Sequence, residues 1–183
     1  KSIVCALMIG RKGSVGFPGK NIFPVLGRPL ASYPLLAAKS SFNVKRIFVS
    51  TDCPDIMEIA KEYDAELIER PSKLASKEAL GEDVFVHGYY EIKRILKKQD
   101  LDVELVVLLF ANGATLTGEL IDKGVAILRQ DASFDSAVTT SVYNMWSPLR
   151  ARKLRKDGCL HPMVPFETFG DPDTLNCDRD SQG

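Results

Sequence analysis

The sequence predicts a three-layer, Rossmann-like α/β fold, in which a mostly parallel sheet is covered by helices on both faces. Three observations carry this prediction: short apolar runs, helical periodicity between them, and alternation of the two over the first two-thirds of the 183 residues. Continuous apolar runs are typical of strands in a parallel sheet, because such strands are buried on both faces. Alternating strands and helices joined by right-handed crossovers give a doubly wound sheet.

Five segments are predicted to be strands because they are short and rich in apolar or β-branched residues. They are residues 3–9 (IVCALMI), 45–50 (KRIFVS), 65–69 (AELIE), 104–110 (ELVVLLF) and 136–142 (SAVTTSV). The first follows a single Lys and Ser and lacks the small-residue cleavage pattern of a secretory signal, so it is interpreted as a buried strand. No apolar run approaches the ~18–20 residues that span a bilayer.

Four helices are predicted between these strands. Pro34 begins the first, through LLAAKSS, and Pro54 stands in the first turn of the second, PDIMEIAKEY, with Asp52 near its N-cap. Residues 79–98 carry apolar side chains at helical spacing, and so does the segment that begins at Thr117. These four helices complete the alternation with the strands.

The alternation ends after about residue 142, where Pro, Asp and Gly become frequent and no clear period remains. We therefore predict a nucleotide-binding core of residues 1–142 and an appended segment of residues 143–183, which could be a flap, an oligomer arm or a tail. Since the sequence ends without a closing helix or strand, the natural chain is expected to continue. The basic stretch 150–156 (RARKLRK) is interpreted as a solvent-exposed or oligomer-facing strip rather than a nucleic-acid site.

Charge and cysteine content narrow the function classes. The 24 Lys and Arg residues balance the 24 Asp and Glu residues, so the chain has no bulk attraction for nucleic acid or an acidic membrane.

The four cysteines are far apart and form no C-x-x-C pair: Cys5, Cys53, Cys159 and Cys177. Their number allows two disulfides, but reduced thiols are favoured in an α/β chain of this size, which predicts a cytoplasmic location.

A glycine-rich basic segment, GRKGSVGFPGKN (10–21), directly follows the first predicted strand. Its glycines, which allow sharp turns and close approach to a ligand, are Gly10, Gly13, Gly16 and Gly19. Its cations, which suit a polyphosphate, are Arg11, Lys12 and Lys20. A solvent-exposed turn with incidental basic residues is the alternative. The segment is neither a Walker loop, which needs Ser or Thr after G-K, nor a dinucleotide loop, whose glycines have a different spacing.

Four further segments accompany this loop in order and spacing across roughly residues 3–90. They are GRPL (27–30), SSF (40–42), IFVSTD (47–52) and ERPSKLAS (69–76). Together with the loop they resemble the acylneuraminate cytidylyltransferases, which make CMP-sialic acid, and the related KDO and nonulosonic acid cytidylyltransferases. The loop of that family reads A-R-x-G-S-K-G-x-P-G-K-N. The resemblance implies a fold of the nucleotide-diphospho-sugar transferase type.

The resemblance also implies roles for individual residues. Arg11 and Lys20 would be catalytic, with Lys20 stabilising the charge that develops on the α-phosphate in the transition state. Nucleotide-binding positions would be Gly10, Arg11, Lys12, Gly13, Ser14, Gly16, Lys20, Asn21, Arg70 and Ser76. The alternative for Arg70 is a surface arginine at the end of a strand. Asp52 is interpreted as a helix cap and His87 as a structural residue.

The sequence departs from the family pattern in two places. Val15 stands where the family loop carries Lys, and residues 109–117 read LFANGATLT where the sialic acid branch has L-Q-P-T-S-P-L-R. Candidate sugar-binding residues implied by alignment with the family are Phe110, Asn112 and Arg179. The family also implies Mg²⁺, but its carboxylate ligands are not identifiable in this sequence, and no carboxylate occurs where the KDO branch has an acidic metal ligand.

The sequence therefore predicts an enzyme that transfers CMP from CTP to an acidic sugar, sialic acid or another nonulosonic acid, and releases pyrophosphate. CTP and the sugar are the expected partners, in a homodimer that binds neither nucleic acid nor a membrane. Two alternatives stay open: a degenerate, non-catalytic relative, and a nucleotidyltransferase for another sugar or nucleotide. An NAD-dependent oxidoreductase is disfavoured by the glycine spacing.

Overall fold

The computed structural model of the protein describes residues 1–13, 17–76, 79–140 and 152–162. The strands, in chain order, are β1 (Ser2–Gly10), β2 (Pro24–Val25), β3 (Arg28–Pro29), β4 (Val44–Thr51), β5 (Glu66–Glu69), β6 (Asp102–Phe110), β7 (Arg152–Leu154) and β8 (Leu160–Pro162). The α-helices are α1 (Ser32–Ser40), α2 (Pro54–Glu62), α3 (Ser72–Ala75), α4 (Gly81–Lys97) and α5 (Gly118–Gln130). A short 3₁₀ helix covers Lys20–Ile22.

The central sheet has four parallel strands in the order β5-β4-β1-β6. Strand β1 therefore pairs on one side with β4 and on the other with β6. Each connection between neighbouring strands contains at least one helix, as a parallel pairing requires. The predicted α/β fold with a parallel sheet is confirmed.

Side chains alternate along β1 and divide the core into two layers. Ala6 and Met8 pack on the face covered by α1, α2 and α5. Cys5 and Leu7 point to the opposite face, where Ile92 and Leu96 of α4 cover them. Since successive strand residues face opposite sides of a sheet, an uninterrupted apolar run is what a strand with helices on both faces needs.

Most predicted elements are confirmed, and one is wrong. The segments 3–9, 45–50, 65–69 and 104–110 lie on or overlap β1, β4, β5 and β6, and the four predicted helices correspond to α1, α2, α4 and α5. Helix α1 begins at Ser32, ahead of Pro34. Residues 136–140, by contrast, belong to no strand and are exposed, while 141–142 lie outside the described residues. β-Branched composition favours a strand only where a neighbouring strand and a buried face are available.

Two short hairpins were not predicted. Strands β2 and β3 pair antiparallel around Leu26 and Gly27, which both have positive φ. Strands β7 and β8 pair antiparallel around a turn that contains Gly158, with a φ of 81°. The dipeptide Asp157-Gly158 is a hairpin signal that the sequence did offer.

The chain divides into two compact units, Lys1–Thr139 and Thr140–Gly183. The first contains the parallel sheet and the second contains the β7–β8 hairpin. Whether they are separate domains, as predicted for 1–142 and 143–183, stays a prediction. In the part of the chain that the structure describes, no helix is long and apolar enough to cross a membrane.

A carboxylate organises the loop that leads from α1 into β4. Asp122 on α5 accepts hydrogen bonds from the backbone N–H of Phe42 (3.0 Å) and Asn43 (3.1 Å) and from the hydroxyl of Ser41 (2.6 Å). Burial alone would raise the pKa of Asp122, but these hydrogen bonds outweigh it and lower the pKa to about 2. This loop precedes β4 and therefore lies at the amino edge of the sheet.

Candidate functional site

The carboxyl ends of β1, β4, β5 and β6 lie along one edge of the sheet. Gly10, the last residue of β1, is in register with Thr51 at the end of β4, and Ile9 is in register with Phe110 at the end of β6. Thr51 is in turn in register with Glu69 on β5. The segments that follow these strands therefore emerge side by side, at the edge where open α/β sheets bind their ligands. We call this the carboxyl edge.

Gly10 is required by packing. A Cβ on this residue would lie 2.9 Å from Cδ1 of Ile56 and 3.0 Å from Cβ of Ala111. Its backbone does not have a positive φ, whereas Gly13 and Gly19 have φ angles of 76° and 72°. The sharp turns expected of these glycines are confirmed for Gly13 and Gly19, whereas Gly10 is constrained by close contact with α2 and the residue after β6. Close approach of any of them to a ligand stays a prediction.

Asp52 does not cap α2, so that interpretation is wrong. The N-cap residue is Cys53, whose side chain makes no capping hydrogen bond, and the backbone N–H of Cys53 donates to Oγ1 of Thr51 at 3.0 Å. Oδ1 of Asp52 instead accepts a hydrogen bond from the backbone N–H of Lys12 at 2.9 Å. The carboxylate therefore connects the segment after β4 to the segment after β1.

Two arginines lie close to this connection. Arg70, which follows β5, donates from Nε to Oγ of Ser50 at 3.3 Å and from Nη2 to the Ser50 carbonyl oxygen. Arg11 donates from Nη1 to the carbonyl oxygen of Ser76 at 3.4 Å. Burial lowers the pKa of Arg70, the Asp52 carboxylate raises it, and the positive charge of Arg11 lowers it. Arg70 is thus a partly buried, anchored side chain and not an isolated surface arginine. Together with Arg11 and Asp52 it forms what we call the charge cluster.

Asn21 brings a second type of group to the carboxyl edge. It lies in the short 3₁₀ helix, its carbonyl oxygen accepts the N–H of Ala31 at 2.8 Å, and its Nδ2 would lie 3.8 Å from a Cβ on Gly10. Its Oδ1 is buried and accepts no hydrogen bond within the described residues. A buried acceptor left without a donor costs about 1–3 kcal/mol, so this oxygen is a candidate contact for a ligand donor.

Lys20 begins the same 3₁₀ helix and is partly buried. Its backbone N–H donates to the carbonyl oxygen of Phe17 at 3.1 Å, which fixes the turn, and its ammonium group forms no ion pair within the described residues. Gly19, immediately before it, has the left-handed conformation that this turn needs. Among the described residues, no carboxylate therefore competes with an anionic ligand for Lys20.

The predicted sugar-binding residues Phe110 and Asn112 carry no charge, unlike the members of the charge cluster. The ring of Phe110 packs edge-on against Phe85 of α4, with the ring centroids 5.5 Å apart, and remains half exposed. Asn112 is exposed in the turn after β6. Between them, Ala111 turns to the opposite side and is buried, and its contact with a Cβ on Gly10 was described above.

Several predicted positions lie outside the described residues: Ser14, Gly16 and Arg179, together with Val15. In the ranges that the structure does describe, no three His, Cys, Asp or Glu side chains come close enough to hold a metal ion. No metal ligand is therefore assigned. His87, interpreted as structural, is partly buried on α4, and its Nδ1 has no hydrogen-bond partner within the described residues.

Sequence reasoning missed two contributors to the carboxyl edge. Ser50 anchors Arg70 through both its hydroxyl and its carbonyl oxygen, and Asp52 accepts the Lys12 amide. The signal available was the S-T-D turn after an apolar run, at the point where ligand-contacting residues of a parallel sheet are found.

Known proteins match most of this chain. A family model described as Cytidylyltransferase matches residues 5–145. The chain is 26% identical over 150 residues to a pseudaminic acid cytidylyltransferase and UDP-2,4-diacetamido-2,4,6-trideoxy-beta-L-altropyranose hydrolase of Helicobacter pylori, which covers 81% of this chain and 28% of that protein. It is 39% identical over 79 residues to an N-acylneuraminate cytidylyltransferase of Oncorhynchus mykiss, which covers 43% of this chain and 18% of that protein. The chain spans less than a third of the length of either relative.

A solved structure shares the fold. The structure of CMP:2-keto-3-deoxy-manno-octonic acid synthetase complexed with CTP is similar to this chain with a TM-score of 0.59 and 17% sequence identity. The match covers 72% of this chain and 49% of that one. At this identity the likeness concerns the fold, and it agrees with the parallel sheet and helical layers described above.

Proposed function

The chain belongs to the cytidylyltransferase family, whose model matches residues 5–145, and on this premise we propose that its protein transfers CMP from CTP to an acidic sugar. The sugar is proposed to be sialic acid or another nonulosonic acid, and pyrophosphate is the second product. Two relatives whose names include N-acylneuraminate or pseudaminic acid cytidylyltransferase support this class of acceptor.

One observation carries the proposal: cations converge beside a tight backbone turn at the carboxyl edge. Arg11 lies close enough to Arg70 to influence its charge, and the backbone N–H of Lys12, the residue after Arg11, is held by Asp52. Such a cluster suits a polyphosphate, because guanidinium groups bind phosphate oxygens with two parallel hydrogen bonds. Its like charges are brought together before any anion binds, which is the arrangement expected of a preorganised site.

The proposed reaction is an in-line displacement at the α-phosphorus of CTP. A hydroxyl oxygen of the sugar forms a bond to that phosphorus and loses its proton to solvent, while the bond to the oxygen bridging the α- and β-phosphates breaks. The electron pair of that bond leaves with pyrophosphate. Arg11 and Lys20 neutralise the charge that accumulates on the phosphates, and Arg70, held by Ser50, keeps its positive charge beside them. Oδ1 of Asn21, which accepts no hydrogen bond from the described residues, accepts one from the bound nucleotide.

Magnesium is proposed as an accompanying ion of the triphosphate, where it would neutralise phosphate charge. Since the described residues contain no group of three candidate ligands, none of the steps above is assigned to it. A homodimer, a cytoplasmic location and a role in lipopolysaccharide or capsule synthesis are likewise proposals.

The test uses the complete natural protein with CTP, Mg²⁺ and a panel of sialic, legionaminic, pseudaminic and KDO acids, with pyrophosphate release as the readout. We expect release with CTP and at least one sugar, and none with CTP alone. ATP, GTP and UTP serve as matched controls for the base. Silence with every sugar and every nucleotide would overturn the proposed activity.

A second candidate, a non-catalytic relative that keeps the fold, is favoured by one observation. The ring of Phe110 is packed on Phe85, so the position where the sialic acid branch has Gln here contributes to an aromatic contact. Calorimetric titration with CTP separates the two candidates, since a degenerate site should bind CTP weakly or not at all. Absent CTP binding together with absent turnover would favour this second candidate, whereas CTP binding without turnover would indicate an acceptor outside the panel.

A further inference from the structure

In the described residues, a hydrogen bond to the Asp52 side chain joins the loop after β1 to the segment after β4, and the proposed reaction gives this side chain no role. Oδ1 of Asp52 accepts the backbone N–H of Lys12 at 2.9 Å, although the two residues are 40 positions apart in the sequence. Both stand just beyond the last paired residues of their strands, Gly10 and Thr51. The hydrogen bond therefore continues the attachment of the two segments past the end of the sheet.

Helix capping does not explain this aspartate. Helix α2 begins at Pro54, and the N–H of Cys53 is already bonded to Oγ1 of Thr51. The carboxylate is thus committed to the loop rather than to the helix beside it. Asx residues normally bond to backbone groups within a few positions, so a contact across two segments is a feature of the fold and not of local turn chemistry.

The same carboxylate lies within the field of the arginines. The negative charge of Asp52 favours the charged form of Arg70, whereas the positive charge of Arg11 opposes it. Two guanidinium groups that are partly withdrawn from water repel each other, and a carboxylate placed beside them offsets part of that repulsion. The two guanidinium groups of Arg11 and Arg70 still outnumber this one carboxylate, so the cluster remains attractive to an anion.

We propose that Asp52 is a positioning residue that holds the Lys12 amide, and with it the cations of the loop, in place before the triphosphate binds. This inference rests on the proposed function, because it assigns the loop to the triphosphate. Asp52 touches no reacting atom in this account. Its contribution is to reduce the conformational freedom that the loop would otherwise lose on binding.

The experiment compares Asp52→Ala, which removes the acceptor, with Asp52→Asn, which keeps an acceptor oxygen at the same position. The first measurement is hydrogen–deuterium exchange of the peptide containing residues 10–13 in the complete protein without ligand. The second is steady-state kinetics, with the KM for CTP, the KM for the sugar and kcat determined separately. Melting curves establish that each variant is folded, and Asp52→Ser replaces the alanine variant if that one fails to fold.

We expect Asp52→Ala to accelerate exchange in this peptide and to raise the KM for CTP about 10-fold, the factor typical of one hydrogen bond to a charged acceptor. The KM for the sugar and kcat should stay within about threefold, because a lost loop contact weakens binding of the triphosphate rather than the chemistry. Asp52→Asn should keep the slow exchange of this peptide, because it retains an acceptor oxygen, and its KM for CTP should lie between those of the unaltered protein and Asp52→Ala, because it loses the negative charge beside Arg70.

Asp122→Ala is the matched control, since Asp122 also accepts backbone N–H groups from a distant loop, but at the amino edge of the sheet. It should lower the melting temperature and leave the KM for CTP unchanged. Unchanged exchange and unchanged KM in Asp52→Ala would overturn the proposal, and so would an Asp52→Asn variant as impaired as the alanine one. If the unaltered protein does not bind CTP, the proposed function fails, while the exchange comparison still decides whether Asp52 holds the loop.

Discussion

Replacing Gly10 by alanine tests whether packing or phosphate contact requires a glycine at this position, and the structure predicts packing. The added Cβ would lie 2.9 Å from Cδ1 of Ile56 and 3.0 Å from Cβ of Ala111. Ile56 is completely buried, and the Cβ of Ala111 moves only with its backbone. Relief of the contact therefore requires a shift of β1 or of the end of β6, and overpacking of this kind costs about 1–3 kcal/mol.

The assay is equilibrium unfolding in urea together with a thermal melt. For a chain of this size, each kcal/mol lowers the melting temperature by about 2–4 °C, so we expect Gly10→Ala to melt about 2–12 °C lower. CTP affinity should fall as well, since Arg11 follows the displaced residue directly.

Gly124→Ala is the matched control. Gly124 lies inside α5, and a Cβ there would be 3.7 Å from Cβ of Ala137, which is an ordinary contact. Removing a glycine from a helix interior gains up to about 1 kcal/mol, so this variant should be more stable. A Gly10→Ala protein as stable as the unaltered one, or a destabilised Gly124→Ala protein, would refute the packing argument.

Three further predictions concern single charges. Lys20→Ala should lower the rate of pyrophosphate release by at least about 100-fold without unfolding the protein, because it removes transition-state charge stabilisation. The control, Lys61→Ala, removes an exposed lysine that is paired with a carboxylate one turn away on α2, and it should leave the rate unchanged. Equal rates for the two variants would remove Lys20 from the site. Arg70→Lys should raise the KM for CTP about 10-fold in steady-state kinetics, since an ammonium group cannot reproduce the two hydrogen bonds to Ser50, and an unchanged KM would contradict that role. The pKa of Asp122 lies near 2 in the folded protein, below its ordinary value of 3.8, so the stabilisation by this carboxylate is present above pH 3.8 and is lost as the pH falls towards 2. The free energy of unfolding in urea, measured from pH 5 to pH 2, should therefore depend less on pH in Asp122→Asn than in the unaltered protein. An identical pH dependence in the two proteins would contradict this prediction.

The sheet could be predicted because its signal is local and redundant. β1 is an apolar run with no polar interruption, and such a run is stable only between two helical layers, so the sequence indicates both the strand and its surroundings. The same reasoning failed for 136–140, where Val138 and its neighbours have strand-forming composition but remain exposed. Composition indicates only that a segment can adopt the strand conformation, whereas strand formation also needs a partner strand elsewhere in the chain.

The candidate site was predictable in part for the same reason. The basic glycine-rich loop is contiguous, so Arg11 and Lys20 stand out in the sequence, and the positive φ of Gly13 and Gly19 agrees with their expected role. Asp52 was assigned to the nearest backbone N–H groups along the chain, those of α2, because the sequence alone does not show which distant residues folding brings close. The amide it binds belongs to Lys12, and only the parallel pairing of β1 with β4 brings the two together.

The order of the strands explains why the cations of this edge can be held together at all. Strand β4 lies between β5 and β1, so the segment carrying Asp52 emerges between the segments carrying Arg70 and Arg11. The order of the three segments is therefore set by the topology of the sheet, and Asp52 and Arg11 both lie close enough to influence the charge of Arg70. Ser50, one residue before the end of β4, anchors Arg70 from the same strand. A single strand therefore both anchors Arg70 and supplies a carboxylate that offsets part of its repulsion from Arg11, until a polyphosphate replaces that repulsion with attraction.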